Sequence, residues 1–525
     1  MSKLLQLALF VFVSVSAICA QQPAAHNPVI RGDRPDPSVI RVGNTYWATT
    51  TSGSWEPGFP IFKSSDLLNW QLAGAVFQST PAWMVGDFWA PEISTHGNRF
   101  FVYYTGRRTD GHLCVAVASA PTPSGPYTDH GDLVCENYGS IDALAVTEDG
   151  TGARYLVWKT DGNSQCPTGE KPNGKCEPTP ILAQKLSDDG LNLVPGKPAE
   201  LITNDQPWEA HVVEGAFILR RRGWYYLFYS GNACCGRTCN YALGVARSKR
   251  LLGRYDKNPA NPILKENATW KCPGHGSIVT DSRGRDFLLY HAYRNSTTGF
   301  FIGRQGLLDQ VSWGADDWPR INDGRGPSLV NDRPTDSLSD DFDGSNLKPT
   351  WQWPNFQPPS KTIDRDGWLM LSPTSDQPGD KLAAVVAQPV TNGNFTATTL
   401  IDTSLLKSSV AGISVYQHRG KAVGITVGLT GESHTVSVYK RSDRKEEIVS
   451  SDKTGKSSRI HLRVTVIDGV EFHFAFSEDG QDWKKLPKEI RVCDIEEARI
   501  ALTVGGEREG VAKFDWLRVT SNSAP

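Results

Sequence analysis

Five stretches ahead of residue 325 share one pattern: a short apolar run opened by a small, acidic or polar residue, a glycine-bearing turn, then an aromatic-rich run. They read DPSVIRVGNTYWATTT, APEISTHGNRFFVYYT, DALAVTEDGTGARYLVWKT, EGAFILRRRGWYYLFYSG and HGSIVTDSRGRDFLLYHAY. Their opening residues are Asp36, Ala90, Asp142, Glu214 and His275, so successive copies lie 54, 52, 72 and 61 residues apart. A hairpin pattern repeating at this interval is the sequence mark of β-propeller blades, and five copies predict five blades. Further strands fit between the copies, among them PIFKSSDLLNW, LCVAVASA and YALGVARS, giving each blade material for about four. In a propeller the first strand of every blade lines the axis, so residues in one register of the repeat converge on one end of the channel. That placement gathers three carboxylates, Asp36, Asp142 and Glu214, with His275 in one funnel.

Asp36 itself lies between Pro35 and Pro37, which withhold two backbone donors and keep the segment extended or turned at the mouth of the following strand. Plentiful glycine (49), proline (33) and tryptophan (16) against only 3 methionines suit short strands and tight turns, so the chain reads as all-β. A net charge of -2 gives no electrostatic case for nucleic acid or an anionic membrane surface, and a monomer is expected. Residues 1–20, MSKLLQLALFVFVSVSAICA, place one lysine before an apolar run and small residues ending at Ala20, the pattern of a secretory signal. Export follows, to the periplasm or the medium. Nine cysteines remain beyond Cys19, an odd number, which leaves at least one thiol unpaired within the chain. Cys166 and Cys176 are the simplest local bridge, and CCGRTC at 234–239 reads as disulfide-bonded rather than as a zinc knuckle, because it has no matching CxxC or histidine run.

Two carboxyl groups facing across a pocket are the machinery for breaking a glycosidic bond: one protonates the leaving oxygen and the other activates water or attacks the anomeric carbon. A third carboxylate raises the proton affinity of the acid by repulsion. Glu214, in HVVEGAFI, has apolar sequence neighbours that favour its protonated form and suit a general acid; Asp36, close to Arg34 and Ser38, suits an ionised base; Asp142, in GSIDALAV, is then the modulator. A metal hydrolase using His211 and Glu214 is disfavoured, because residues three apart on a strand point to opposite faces.

The motifs RPDPSVI, GDFWAPEI, SIDALA and VVEGAFI occur in this order, and through them the first 320 or so residues resemble glycoside hydrolase family 43. The resemblance implies inverting enzymes on a five-bladed propeller, acting mainly on arabinose- and xylose-containing plant polysaccharides, with Asp36 as base, Asp142 as modulator and Glu214 as acid. It further implies that His275 is the axial histidine, contacting waters or a structural calcium; that Arg304, in FIGRQGLLDQVSW, binds sugar hydroxyls; and that no cofactor is required. Phe88 and Trp89 are candidates for the flat face on which a sugar ring stacks. A fructan hydrolase on a similar propeller is the nearer rival, but its Asn-Asp-Pro-Asn, Arg-Asp-Pro and Glu-Cys motifs are not recognisable; galactan as substrate, or a carbohydrate-binding protein without catalysis, are further alternatives.

After a Gly/Pro/Asp-rich link, residues 326–338, alternating strands resume without any helical run, as in AGISVYQ, HTVSVYKR and IHLRVTVIDGVEFHFAFSEDG. The division expected is therefore a signal (1–20), a propeller (21–325), the link, and a β-sandwich of jelly-roll kind (339–525) that resembles the concanavalin-like domain attached to family 43 enzymes. Such a domain binds polysaccharide, shapes a pocket wall or braces the propeller. Trp351 and Trp353 suit either a sugar-stacking surface or a buried junction.

Overall fold

The computed structural model describes residues 27–162, 179–329, 337–430, 433–486 and 489–522. The signal segment, the Cys166–Cys176 pair and most of the link lie outside the described residues.

Each of the five repeats forms a four-stranded antiparallel sheet whose strands are neighbours in sequence order. The innermost strands are Ser38–Val42, Met84–His96, Ser140–Thr147, Val213–Arg221 and Trp270–Thr280, in blades one to five. Aromatic-rich second strands, such as Trp224–Gly231 in blade four, are buried almost throughout, because both faces of a blade pack against neighbouring blades. The ring is closed by the segment before blade one: Ile30 pairs with Gly306 of blade five, and the Asn27 side chain exchanges hydrogen bonds with the Leu308 backbone.

Four of the five opening residues, Asp36, Ala90, Asp142 and His275, share a left-handed backbone, with φ of 53°, 45°, 58° and 42°. In blade four it is Gly215, φ 60°, that takes this conformation, and not Glu214. The hairpin register agrees. Glu214 pairs with Ser230 as Trp89 pairs with Thr105, Ile141 with Lys159 and Gly274 with His291, each one residue ahead of the left-handed turn. The expectation of one common register is corrected: Glu214 enters one residue earlier than Asp36 and Asp142. Irregular pairing follows each of these positions, and such a bulge re-aims side chains, so that neighbours in sequence can face the same end of the channel.

The second half is a two-sheet β-sandwich, one sheet of eight strands and one of six, around a core that includes Ile413, Ile425, Leu462, Val464 and Leu502. Phe301 and Ile302, from a short helix of blade five (Gly299–Ile302), belong to this same core. Trp353–Pro354 pairs with Trp55–Glu56 of blade one, and Trp353 Nε1 donates to Glu56 Oε2 at 2.8 Å. Trp351 is buried, its Nε1 donating to Asp340. Trp353 therefore serves the junction, and Trp351 the sandwich core. Among the described residues no helix is long and apolar enough to cross a membrane.

Candidate active site

A cavity of about 740 Å³ opens at one end of the propeller axis, within the range of small-molecule sites. Asp36, Asp142, Glu214, His275, Arg304 and Trp89 all line it. Six of the seven residues singled out from the sequence therefore meet in one place. Phe88 does not. It is fully buried between blades one and two, edge-on to Phe59 with centroids 5.4 Å apart, and a Cβ on Gly58 would come within 2.8 Å of its ring. Adjacent strand residues point to opposite sides, so Trp89 faces the cavity and Phe88 the core.

Asp36 is held on every side. Thr51 Oγ1 donates to its Oδ2 at 2.7 Å while accepting the Ala90 amide, also at 2.7 Å, tying blade one to blade two. Its Oδ1 faces Arg304 Nη1 at 3.5 Å and His275 Nδ1 at 3.4 Å. Burial opposes the charge of this carboxyl, but Arg304 and His275 overcome that and hold it far below the usual carboxylate range. Asp36 is ionised at any working pH. Its backbone N–H donates to His291 Nδ1 at 3.1 Å, and burial pushes His291 down to about 4, so this imidazole is a neutral acceptor.

Glu214 has a different setting from the one its sequence neighbours suggest. Its Oε2 accepts from Lys159 Nζ and its Oε1 from Tyr241 Oη, each at 2.9 Å. Burial raises its proton affinity, and Lys159 and then Tyr241 more than cancel that, so the group shifts down. The expected apolar pocket is thus corrected to a buried ion pair, with Lys159 only 1% exposed and also 3.5 Å from Asp161. Asp142 moves the other way: burial, reinforced by repulsion from Glu214 and Asp36, pushes it up to about 6 against the pull of His275 and Lys159. Its Oδ2 accepts the Gly215 amide at 2.9 Å, which links the third carboxylate directly to the turn behind Glu214. The two neighbouring acids therefore divide: Asp142 is the one pushed toward its protonated form, and Glu214 is held down by Lys159 and Tyr241.

His275 Nδ1 lies between Asp36 Oδ1 and Asp142 Oδ2, at 3.4 and 3.8 Å. Its ring covers Gly215, where an added Cβ would approach within 2.8 Å. Calcium takes six to eight oxygen ligands. Around His275 the side chains do not supply such a cage: its ring nitrogen is turned to two carboxylates already engaged by Arg304, Thr51 and Gly215. Among the described residues the clusters with metal-ligand spacing are Cys114/Asp132/Cys135 and Glu471/His473/Glu489, neither of which includes His275 or one of the three carboxylates. Cys114 and Cys135 are joined in a disulfide, which removes their thiolates. The donor set does not suit side-chain-held calcium, and no chemistry is routed through one.

Lys159, Tyr241 and Thr51 were not visible as site residues in the sequence. Lys159, Thr105, Ser230 and His291 occupy one register position on the second strands of blades three, two, four and five, so a column alignment of those strands was the signal available. Tyr241 carried no such mark; it stacks flat on His291, centroids 5.8 Å apart at 4°, and so connects the surroundings of Glu214 and Asp36.

An axial pocket lined by one carboxylate held ionised, a second pushed up toward its protonated form and a third beside it defines a glycosidase-type acid–base site on a five-bladed propeller. The family described as Glycosyl hydrolases family 43 matches residues 25–319, more than half of the sequence, and the chain belongs to it. Residues 339–520 match the Beta xylosidase C-terminal Concanavalin A-like domain. Among curated proteins, a Xylosidase/arabinosidase 43B from Humicola insolens is 27% identical over 505 residues, covering 88% of this chain and 89% of that protein. A Xylosidase/arabinosidase from Butyrivibrio fibrisolvens is 30% identical over 312 residues, 58% of this chain and 57% of that one. The crystal structure of a xylan beta-1,4-xylosidase from Bacillus halodurans superimposes with a TM-score of 0.80 at 21% identity, covering 94% of this chain and 100% of that one, a likeness of fold. The chain is accordingly a glycoside hydrolase with a propeller and a concanavalin-like sandwich.

Proposed function

We propose that this enzyme hydrolyses α-L-arabinofuranosyl or β-D-xylosyl linkages of plant cell-wall polysaccharides such as arabinoxylan, arabinan and xylo-oligosaccharides, with inversion at the anomeric carbon. The observation that carries the reading is the asymmetry of the carboxylates: Asp36 locked as an anion by Arg304 and His275, and Asp142 pushed up to about 6 beside Glu214, whose turn it holds through the Gly215 amide. Asp36 takes a proton from a water as that water attacks the anomeric carbon. Glu214, hydrogen-bonded through Tyr241 and Lys159, delivers the proton to the departing oxygen, and Asp142 raises the proton affinity of the pair and fixes Gly215 behind it. Arg304 holds sugar hydroxyls from the Asp36 side, and Trp89 offers an aromatic face. The names of both curated relatives support the two pentoses. Export fits the leader-like start and the disulfides Cys114–Cys135, Cys234–Cys235 and Cys239–Cys272.

The test is release of sugar from arabinoxylan, arabinan, xylo-oligosaccharides and galactan side by side, with proton NMR of the first-formed anomer. Pentose released with inverted configuration is expected. Release of galactose alone, a retained anomer, or no release from any of the four would overturn the reading.

A further inference from the structure

The loop after the second strand of blade four carries adjacent cysteines, Cys234 and Cys235, joined to each other. Both line the same cavity as Asp36, Asp142 and Glu214. The three carboxylates are only 7–8% exposed, whereas Cys235 is exposed and Cys234 partly so, which puts the disulfide at the rim and not the floor. Behind it Cys234 packs on a cluster of Cys239, Tyr241, Cys272, Tyr293 and Phe300. Tyr241 of this cluster is the residue that donates to Glu214, so the sulfurs and the acid share a supporting side chain.

This loop is fastened more firmly than an exposed rim requires. The Cys239–Cys272 disulfide ties it to blade five, and the Asn240 amide returns to the Ala233 carbonyl at 3.0 Å. Arg237 then reaches into the second domain: Nη2 donates to the Cys493 carbonyl at 2.6 Å and Nε lies 2.9 Å from Glu496 Oε1. Two linked sulfurs on a fixed loop present a polarisable apolar surface that needs no hydrogen-bond partner, suited to the C–H face of a sugar ring.

Resting on the functional reading above, we propose that the Cys234–Cys235 disulfide is a binding wall for the leaving-group side of the carbohydrate, and that Arg237 is a positioning residue through which the sandwich domain holds this wall in place. The acid protonates the leaving oxygen, so a wall beside the acid and at the rim meets the sugar that departs, while the glycone occupies the floor between Asp36 and Arg304.

The experiment compares wild type with Cys234→Ser/Cys235→Ser on xylo- and arabino-oligosaccharides and on the corresponding glycosyl fluorides, whose leaving group has no ring. Burial of one small apolar face corresponds to about a fivefold change. The double variant should lose about fivefold in kcat/KM on oligosaccharides, mostly through KM, and stay within about twofold of wild type on the fluorides. Arg237→Ala, which leaves all cysteines in place, should show the same selective loss, and serves alone if the double variant does not fold. Equal losses on both substrate types, or none on oligosaccharides, would overturn the proposal, as would peptide mapping that finds Cys234 and Cys235 not joined to each other. Wild type inactive on every substrate would instead sink the functional reading, and this proposal with it.

Discussion

At the scale of single residues, the site separates into an anion fixed by positive neighbours and a carboxyl pushed up beside the acid, and the two halves answer differently to mutation and pH. Replacing Glu214 by Gln should cut kcat on oligosaccharides by about 10²–10⁴. A dinitrophenyl glycoside, whose leaving group departs without protonation, should lose far less. Equal losses on both would remove Glu214 from the acid role. For pH, Asp36 is depressed and stays ionised as pH falls, so it gives no acidic limb in the ordinary carboxylate range. Asp142 is pushed up to about 6 while Lys159 and Tyr241 pull Glu214 down, so Asp142 is the carboxyl that keeps a proton beside the acid, and kcat/KM should decline as pH rises past about 6 and that proton is lost. Lys159 pulls Glu214 down; Lys159→Gln should therefore move that alkaline limb upward, and a limb that stays or moves downward would contradict the ion pair's role.

At the scale of the blade, a left-handed residue at the same place in each repeat turns the chain at the axis, and blade four has the glycine that lets His275 lie against the turn. Gly215→Ala would place a Cβ about where the ring is and force alanine into φ 60°, so a loss of roughly 1–3 kcal/mol is expected from the backbone alone. Displacing His275 also disturbs Asp36 and Asp142, so activity should fall beyond what denaturant titration accounts for. These turns also mark how far the sequence could be read. The repeat was legible because hairpins with aromatic second strands recur, and it placed Asp36, Asp142 and His275 correctly. It misjudged Glu214 by one position because glycine, with no side chain to compare, occupies the aligned place. It misjudged Phe88 because a bulged strand obscures which of two neighbouring aromatics faces inward. The charge state of Glu214 was illegible for another reason: Lys159 and Tyr241 lie 55 and 27 residues away in the sequence.

At the scale of the molecule, the sandwich shares its interior with the propeller, so the two should not unfold independently. Phe301 and Ile302 are buried in the sandwich core, and Trp55 of blade one packs edge-on to Tyr416 at 5.6 Å. Between these apolar contacts runs a buried charge cluster: Arg499 of the sandwich, 3% exposed, lies 3.7 Å from Asp33, while the Arg304 amide donates to Asp33 Oδ1 at 3.3 Å. Repulsion from Asp33 leads the causes that push Glu497 up to about 7, with burial next, and Arg304 and then Arg499 offset them, so the two arginines together hold Glu497 and Asp33, the latter three residues from Asp36. Removing one partner of a buried pair leaves the other uncompensated, at a cost of about 3–5 kcal/mol. Arg499→Met should therefore destabilise the whole chain by about that amount, with propeller and sandwich still melting in one calorimetric transition. Adding Asp33→Asn should recover part of the loss, because it removes the orphaned charge. Two separate transitions, with only the sandwich responding to Arg499→Met, would show that the domains are merely adjacent and that the second one has no hold on the floor of the active site.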